Sequence, residues 1–462
     1  MRADLLAEKA TRRIEGPLLF LERSVHVGLN HAVEVISDDG ITRTGRVAAL
    51  DDETIVVEVL ASTSGLSLAG TRVRLYDTPL RMPMGPGLLG RVFDSVGRPI
   101  DGGPPIIAEQ HRRVDGLAIN PAARALPRDF IETSISTIDL MNSLVRGQKL
   151  PIFSGGGLPH DRLATAIAQR ARLRDGSQGE FSVVFVGIGV SHDSAMSFQN
   201  AMADSGALQH TAMFLNRADE PSAQRLLAPR FALTAAEYLA FEEGHHVLVV
   251  MTDMTNYCEA LREVSASHGE IPSRKGYPGY LYSDLASLFE RAGCIQGRTG
   301  TVTQLPLLTM PGDDIGHPIP DLTGYITEGQ IVLGRDLDRQ GIYPPVQVLP
   351  SLSRLMDFGI GAGFTHPDHP ALAQQLFAAY AKAMRVRVLE SVMGEEGLTA
   401  IDRDYLTFAG EFERRLVRQN GGRTLEESMD IGWSVLRALP ASELTRLNAR
   451  QIENHIEDDE RG

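Results

Sequence analysis

At 462 residues the chain is too long for one compact core, and two to four domains are expected. Its composition, 43% hydrophobic and 23% charged, is that of an ordinary soluble α/β protein, and a formal net charge of −14 argues against a nucleic-acid binder, which presents a basic face. The two cysteines, Cys258 and Cys294, lack a C-x-x-C spacing, which argues against a disulfide framework or zinc site and points to a reducing compartment.

The opening MRADLLAEKATRRIEG alternates charged and apolar residues and has no signal-peptide core. No run approaches the roughly 18 apolar residues of a membrane-spanning helix. A cytoplasmic protein, or one peripheral to a membrane, is expected. HAVEVIS, TRTGRVAAL, TIVVEVL and TRVRLYD alternate apolar with polar side chains between turn signals, which predicts a small β-barrel or sandwich over residues 1–77. The Pro/Gly-rich RMPMGPGLLGRVFDSVGRPIDGGPP reads as an extended connector. From about residue 130, apolar strand runs alternate with helical runs: KLPIF with DRLATAIAQRARL, FSVVFVGIG with SHDSAMSFQNAMAD, HVLVVMTD with MTNYCEALREVSA. That order predicts an α/β core with a largely parallel sheet, placed within residues 78–355. Three long helical patterns then predict a C-terminal helical bundle over 356–462, with IENHIEDDERG as a solvated charged end.

Between the first core strand and its helix stands SGGGLPHD, residues 154–161, where a nucleotide-binding fold keeps its phosphate loop. A working loop, G-x-x-x-x-G-K-[ST], wraps phosphates with backbone N–H groups, neutralises them with Lys and ligates Mg²⁺ through a hydroxyl. Gly155, Gly156 and Gly157 retain the loop's shape. Ser154 takes the first Gly position, Pro159 the last, His160 the Lys position and Asp161 the hydroxyl position. Pro159 has no N–H to donate, and Asp161 puts an anion at the helix start, where a phosphate would use the dipole. The loop's charge is inverted, as expected of a degenerate site that does no chemistry.

HVLVVMTD, residues 246–253, is an apolar strand ending in an acid, the form of a Walker B segment, whose carboxylate orients hydrated Mg²⁺. Taken alone, Asp253 reads first as a cap for the following helix; joined to the glycine-rich loop, it reads as Walker B in origin.

These segments, together with RVDGLAINPAAR, PRDFIETSISTIDLMNSLVRGQKLPIFSGGGLPHDRLA, PRFALTAAEYLAFEEGHHVLVVMTDMTNYCEALREVSA, IPSRKGYPGYLYSDLASLFERAG and VLPSLSRLM, give the chain a resemblance along essentially its whole length. It resembles the non-catalytic B subunit of the V-type and archaeal A-type rotary ATPases, and its modified loop is similar to that family's form. The resemblance implies a hexameric ring in which this chain alternates with a catalytic A subunit. It further implies contacts with the central rotor stalk and the peripheral stalk, and indirect coupling to a membrane sector that moves protons or sodium ions. ATP or ADP would lie at the interface with the catalytic subunit, with Mg²⁺ held mainly by that partner. No ATPase activity is expected of the chain alone.

In catalytic relatives the strand ending G-x-G is followed by a Glu that positions the attacking water; here Val190 follows Gly187-Ile-Gly189 and supplies no base. Arg354, in VLPSLSRLM, matches the residue that reaches in trans to the γ-phosphate held by the neighbouring catalytic subunit. On its own it reads as a surface helix residue in an ordinary salt bridge. Gly155, Gly156, Gly157, His160 and Asp253 are the residues expected to hold ADP weakly. Tyr277, Pro278 and Tyr280, in RKGYPGY, read as a rigid turn with exposed aromatics, which the resemblance directs at the rotor. His192, His245, His246 and His268 show no metal-ligand spacing and read as solvated or core residues. An autonomous hexameric ATPase would need the Lys and Glu that His160 and Val190 replace. A ring helicase would need a working phosphate loop and a basic strand-binding path.

Overall fold

The computed structural model describes residues 5–174 and 179–457. The chain divides into two compact units, one made of Met1–Ala118, Ser182–Glu243 and Met251–Arg291, the other of Ile119–Phe181, Gly244–Val250 and Ala292–Gly462.

The first unit begins with a seven-stranded antiparallel β-barrel. Its strand order is Leu5–Ala10, Arg72–Pro79, His31–Ile36, Thr42–Leu50, Thr54–Val59, Leu18–Glu22, Arg13–Glu15. Because successive side chains leave opposite faces, Leu19, Leu21, Val33, Val35, Ile55, Val57, Val73 and Leu75 all fall on one side and form its core. The four alternating runs read from the sequence are strands here. LLAEKA within the opening segment is a fifth, its alternation continuing the same period. The Pro/Gly-rich passage is not merely a connector: its Val92–Asp94 pairs in parallel with Thr211–Arg217, which pairs in parallel with Phe181–Val190. Helices His192–Asp204, Ser222–Phe241, Met254–Ser267 and Leu281–Phe289 complete the unit. Arg291, fully buried among them, makes a two-point pair with Glu237 through Nε–Oε1 at 2.6 Å and Nη2–Oε2 at 2.8 Å.

In the second unit the sheet runs Val346–Ser353, Gly329–Leu333, Ile152–Gly155, Thr301–Met310, His246–Thr252. Ile152–Gly155 is parallel to both its neighbours, and Val346–Ser353 closes the edge antiparallel to Gly329–Leu333. Inner strands such as His246–Thr252 are nearly continuous apolar runs rather than alternations because both faces are buried. Helices His369–Met393, Ala400–Glu411 and Leu425–Leu436 pack Leu372, Leu376, Phe408, Phe412 and Trp433 into a second core. Thr399 with Asp402 and Thr424 with Glu427 form capping boxes that start two of these helices, each worth about 1 kcal/mol. The last segment is not a free solvated end: His455 stacks on Trp433 at 4.2 Å and contacts Asp368 at 3.2 Å. Residues 458–462 of that charged run lie outside the described residues. Among the described residues no helix is long and apolar enough to cross a membrane.

Candidate functional site

The glycine-rich loop leaves the strand Ile152–Gly155 and enters the helix His160–Arg170. Gly157 has φ +82°, a conformation that favours glycine, and a Cβ on Gly156 or Gly157 would meet open space. The backbone donors that a phosphate would use are partly spent within the loop: Leu158 N–H donates to Gly155 O at 3.1 Å and His160 N–H to Leu158 O at 2.8 Å. Pro159, the helix N-cap, has none to give. The His160 ring turns back onto the loop, with Nδ1 3.1 Å from Leu158 O and 3.2 Å from Ser154 Oγ, and Nε2 3.6 Å from Asp161.

Two residues carrying no motif signal also shape the loop. Arg335 donates from Nη2 to Gly156 O at 2.8 Å and makes a two-point pair with Asp313. The guanidinium holds the Asp313 carboxyl below the usual carboxylate range. A Cβ on Gly155 would lie 2.4 Å from Asp313 Oδ1, so the carboxylate is packed against the loop. With carboxylates at 161 and 313 and no hydroxyl at 161, the loop does not fit a Mg²⁺-bound triphosphate held for cleavage. Arg335 and Asp313 were invisible to motif reading because they are distant in sequence and ordinary in type.

In the first unit, Val190 is buried and continues its strand, its carbonyl accepting from Ala218 N–H at 2.8 Å. Asp253 is the N-cap of Met254–Ser267, accepting from Thr255 N–H at 2.8 Å. Tyr277 corrects the expectation of an exposed aromatic turn. It and Pro278 are buried, with the Tyr277 hydroxyl donating to Glu259 at 2.5 Å, while Tyr280 is exposed. His246 is a core residue; His192, His245 and His268 lie near Asp219, Glu180 and Glu58 respectively.

Arg354 sits on the second unit, one residue past the edge strand Val346–Ser353 and not on a helix. The strand end is anchored from inside: Gln148 Nε2 donates to Ser353 Oγ at 2.9 Å, and Ser353 Oγ donates to Ser143 O at 2.8 Å. Gly329, at φ +136°, lets the facing strand approach so closely that a Cβ would lie 2.0 Å from Leu352 O. Arg354 N–H donates to Glu328 O at 3.0 Å and its Nη1 to Thr327 O at 3.3 Å. The side chain is exposed, and among the described residues no carboxylate pairs with it. A fixed backbone thus presents a guanidinium whose charge no carboxylate among the described residues neutralises.

A β-barrel, an α/β core with a glycine-rich loop after a parallel strand, and a helical C-terminal bundle together define a class. Residues 12–75 match the beta-barrel domain of the ATP synthase alpha/beta family, 134–353 its nucleotide-binding domain, and 358–456 the C-terminal domain of V and A type ATP synthase. The chain is 53% identical to a V-type ATP synthase beta chain of Halothermothrix orenii over 96% of both chains. It is also 53% identical to V-type ATP synthase beta chain 2 of Treponema pallidum, over 96% of this chain and 92% of that one. An A-type ATP synthase B subunit of Methanospirillum hungatei is 51% identical over 96% of both. A solved ATP synthase subunit, NeqB of Nanoarcheaum equitans, is similar with TM-score 0.73 at 35% identity, over 94% of this chain and 100% of that one. The chain belongs to the family of V-type and A-type ATP synthase beta (B) chains, nucleotide-binding-fold subunits of a multisubunit rotary ATPase.

Proposed function

We propose that this chain is the non-catalytic, regulatory B subunit of its rotary ATPase. It alternates with catalytic A subunits in a hexameric ring and contributes Arg354 in trans to their ATP sites. The observation that carries this reading is the contrast within one chain between a loop with His160 at the lysine position and Asp161 at the hydroxyl position, and an exposed arginine whose charge meets no carboxylate among the described residues. A planar guanidinium can bind two phosphate oxygens at once and stabilises charge as it develops during transfer. In ATP hydrolysis or synthesis at the partner's site, bound Mg²⁺ would screen the phosphates, and it is held mainly by that partner. Arg354 supplies charge and geometry; no residue of this chain takes a proton from the attacking water, because Val190 occupies the position of a base.

At the chain's own degenerate site, Gly155, Gly156, Gly157, His160 and Asp253 hold ADP weakly at most, without supporting cleavage. Residues 1–77 act as a ring collar, 78–355 as the nucleotide-binding-fold domain and 356–462 as the helical bundle. The assembled ring contacts the central rotor stalk and the peripheral stalk, sits on the cytoplasmic side of the membrane as a peripheral sector, and couples indirectly to proton or sodium ion transport. Reconstitution tests the reading. The purified chain alone should show no ATPase, and mixing it with the catalytic partner should restore turnover; robust hydrolysis by the chain alone would overturn it.

A further inference from the structure

We propose that the second unit carries a binding site for a multiply charged phosphate compound, separate from the glycine-rich loop, in the cavity lined by Arg128, Arg146, Arg174 and His246. The cavity encloses about 870 Å³, more than an isolated phosphate requires. None of its lining residues belongs to the loop, and the two sites lie at opposite ends of the sheet strands. Arg146 precedes the strand Ile152–Gly155 and Thr301 begins the parallel strand Thr301–Met310, whereas the loop follows Gly155.

Arg146 lies at the centre of this lining. Its side chain is only 9% exposed, and its Nε is buried with no hydrogen-bond partner. Nη1 lies 3.3 Å from His246 Nε2 and 3.6 Å from Asp129 Oδ2, a carboxylate that is itself half exposed. Burial pushes this guanidinium below the ordinary arginine range, because little answers its charge. Opposite it, His246 Nδ1 lies 3.0 Å from Thr301 Oγ1, so the wall beside Arg146 is polar.

The other groups add to the positive balance. Arg174 reaches Phe364 O at 3.3 Å and Glu426 at 2.9 Å, and Arg128 is exposed, with no carboxylate partner among the described residues. Burial pushes the Cys294 thiol up to about 11, so it brings no negative charge at neutral pH. Among the described residues the lining therefore holds three arginines, one of them paired with Glu426, and one carboxylate, Asp129, in a chain of net charge −14. A buried guanidinium with an unspent N–H is costly until an oxyanion accepts from it, and a phosphate presents two oxygens to the Nε–Nη edge at once. The remaining volume accommodates a second phosphoryl group or a small esterified body.

Calorimetric titration of the full chain tests this, using inorganic pyrophosphate and a sugar bisphosphate as probes against potassium chloride at matched ionic strength. Saturable binding of at least one probe is expected, and the tighter of the two identifies the source as inorganic or esterified. Arg128→Gln and Arg146→Gln should each weaken binding by about 10-fold or more, whereas Arg335→Gln, at the loop, should leave it unchanged. Arg128 is exposed and has no carboxylate partner among the described residues to lose, so its variant remains informative if Arg146→Gln fails to fold. Absence of saturable binding to wild type would overturn the proposal. So would binding that survives Arg128→Gln and is abolished by Arg335→Gln.

Discussion

Arg335 and Arg354 stand on the same unit, and the chain treats them in opposite ways. Arg335 is spent inside the molecule, paired with Asp313 and bonded to the Gly156 carbonyl. Around it the loop consumes its own polarity: Leu158 and His160 donate inward, and Asp161 lies beside His160. Among the described residues Arg354 makes one side-chain bond, to a neutral carbonyl, on a strand end pinned through Ser353. A phosphate arriving at the loop must displace contacts that already exist; one arriving at Arg354 meets an unneutralised cation. The loop's polar groups are thus partly spent within the chain, whereas the guanidinium at the strand end is left exposed.

That contrast predicts where substitutions will be felt. Arg354→Ala removes an exposed guanidinium and no core volume, so folding and assembly should persist while steady-state ATP turnover by the ring falls ~10²-fold or more. Arg354→Lys should recover little, since an ammonium cannot make the planar two-point contact. A buried imidazole illustrates the opposite treatment of charge. His369, held between Leu140 O and Thr365 Oγ1 at 3.0 Å each, has its pKa lowered by burial from 6.5 to about 4. The unfolded chain therefore binds the proton first, so this residue's stabilisation is intact above about pH 6.5 and is lost as pH falls toward 4. At pH 5 the loss should be about 2 kcal/mol, read by denaturant titration and diminished in His369→Gln.

Smaller effects are expected at the loop. Pro159→Gly, His160→Lys and Asp161→Thr combined should raise ADP affinity about 10-fold, by returning a donor, a cation and a metal ligand. Turnover by that variant alone should stay at background, because Val190 still supplies no base. Asp313→Asn removes the carboxylate packed against Gly155 and should raise ADP affinity by only about 3-fold, as suits a partly exposed charge pair. An Asp313 variant with a larger gain than the triple variant would show that the latch, not the missing lysine, governs the loop.

The sequence made the framework readable where periodicity was long. Alternation over TRTGRVAAL and TIVVEVL gave the barrel, and the glycine-rich loop announced itself by its position between strand and helix. Val92–Asp94 was hidden because three residues in a Pro/Gly-rich passage carry no period, and it is pairing with the distant parallel strand Thr211–Arg217 that draws them into the sheet. Tyr277 looked exposed because turn chemistry describes the backbone and says nothing of where a ring packs; Glu259 on a preceding helix takes its hydroxyl. The Arg335–Asp313 latch arises from tertiary folding alone.

The most direct measurement is single-turnover ATP cleavage by rings assembled with wild-type catalytic subunits and either wild-type or Arg354→Ala chains, with ATP affinity determined on the same preparations. The account predicts that the cleavage step slows ~10²-fold or more while affinity changes by far less. Cleavage at near-normal rate in the Arg354→Ala ring would contradict it.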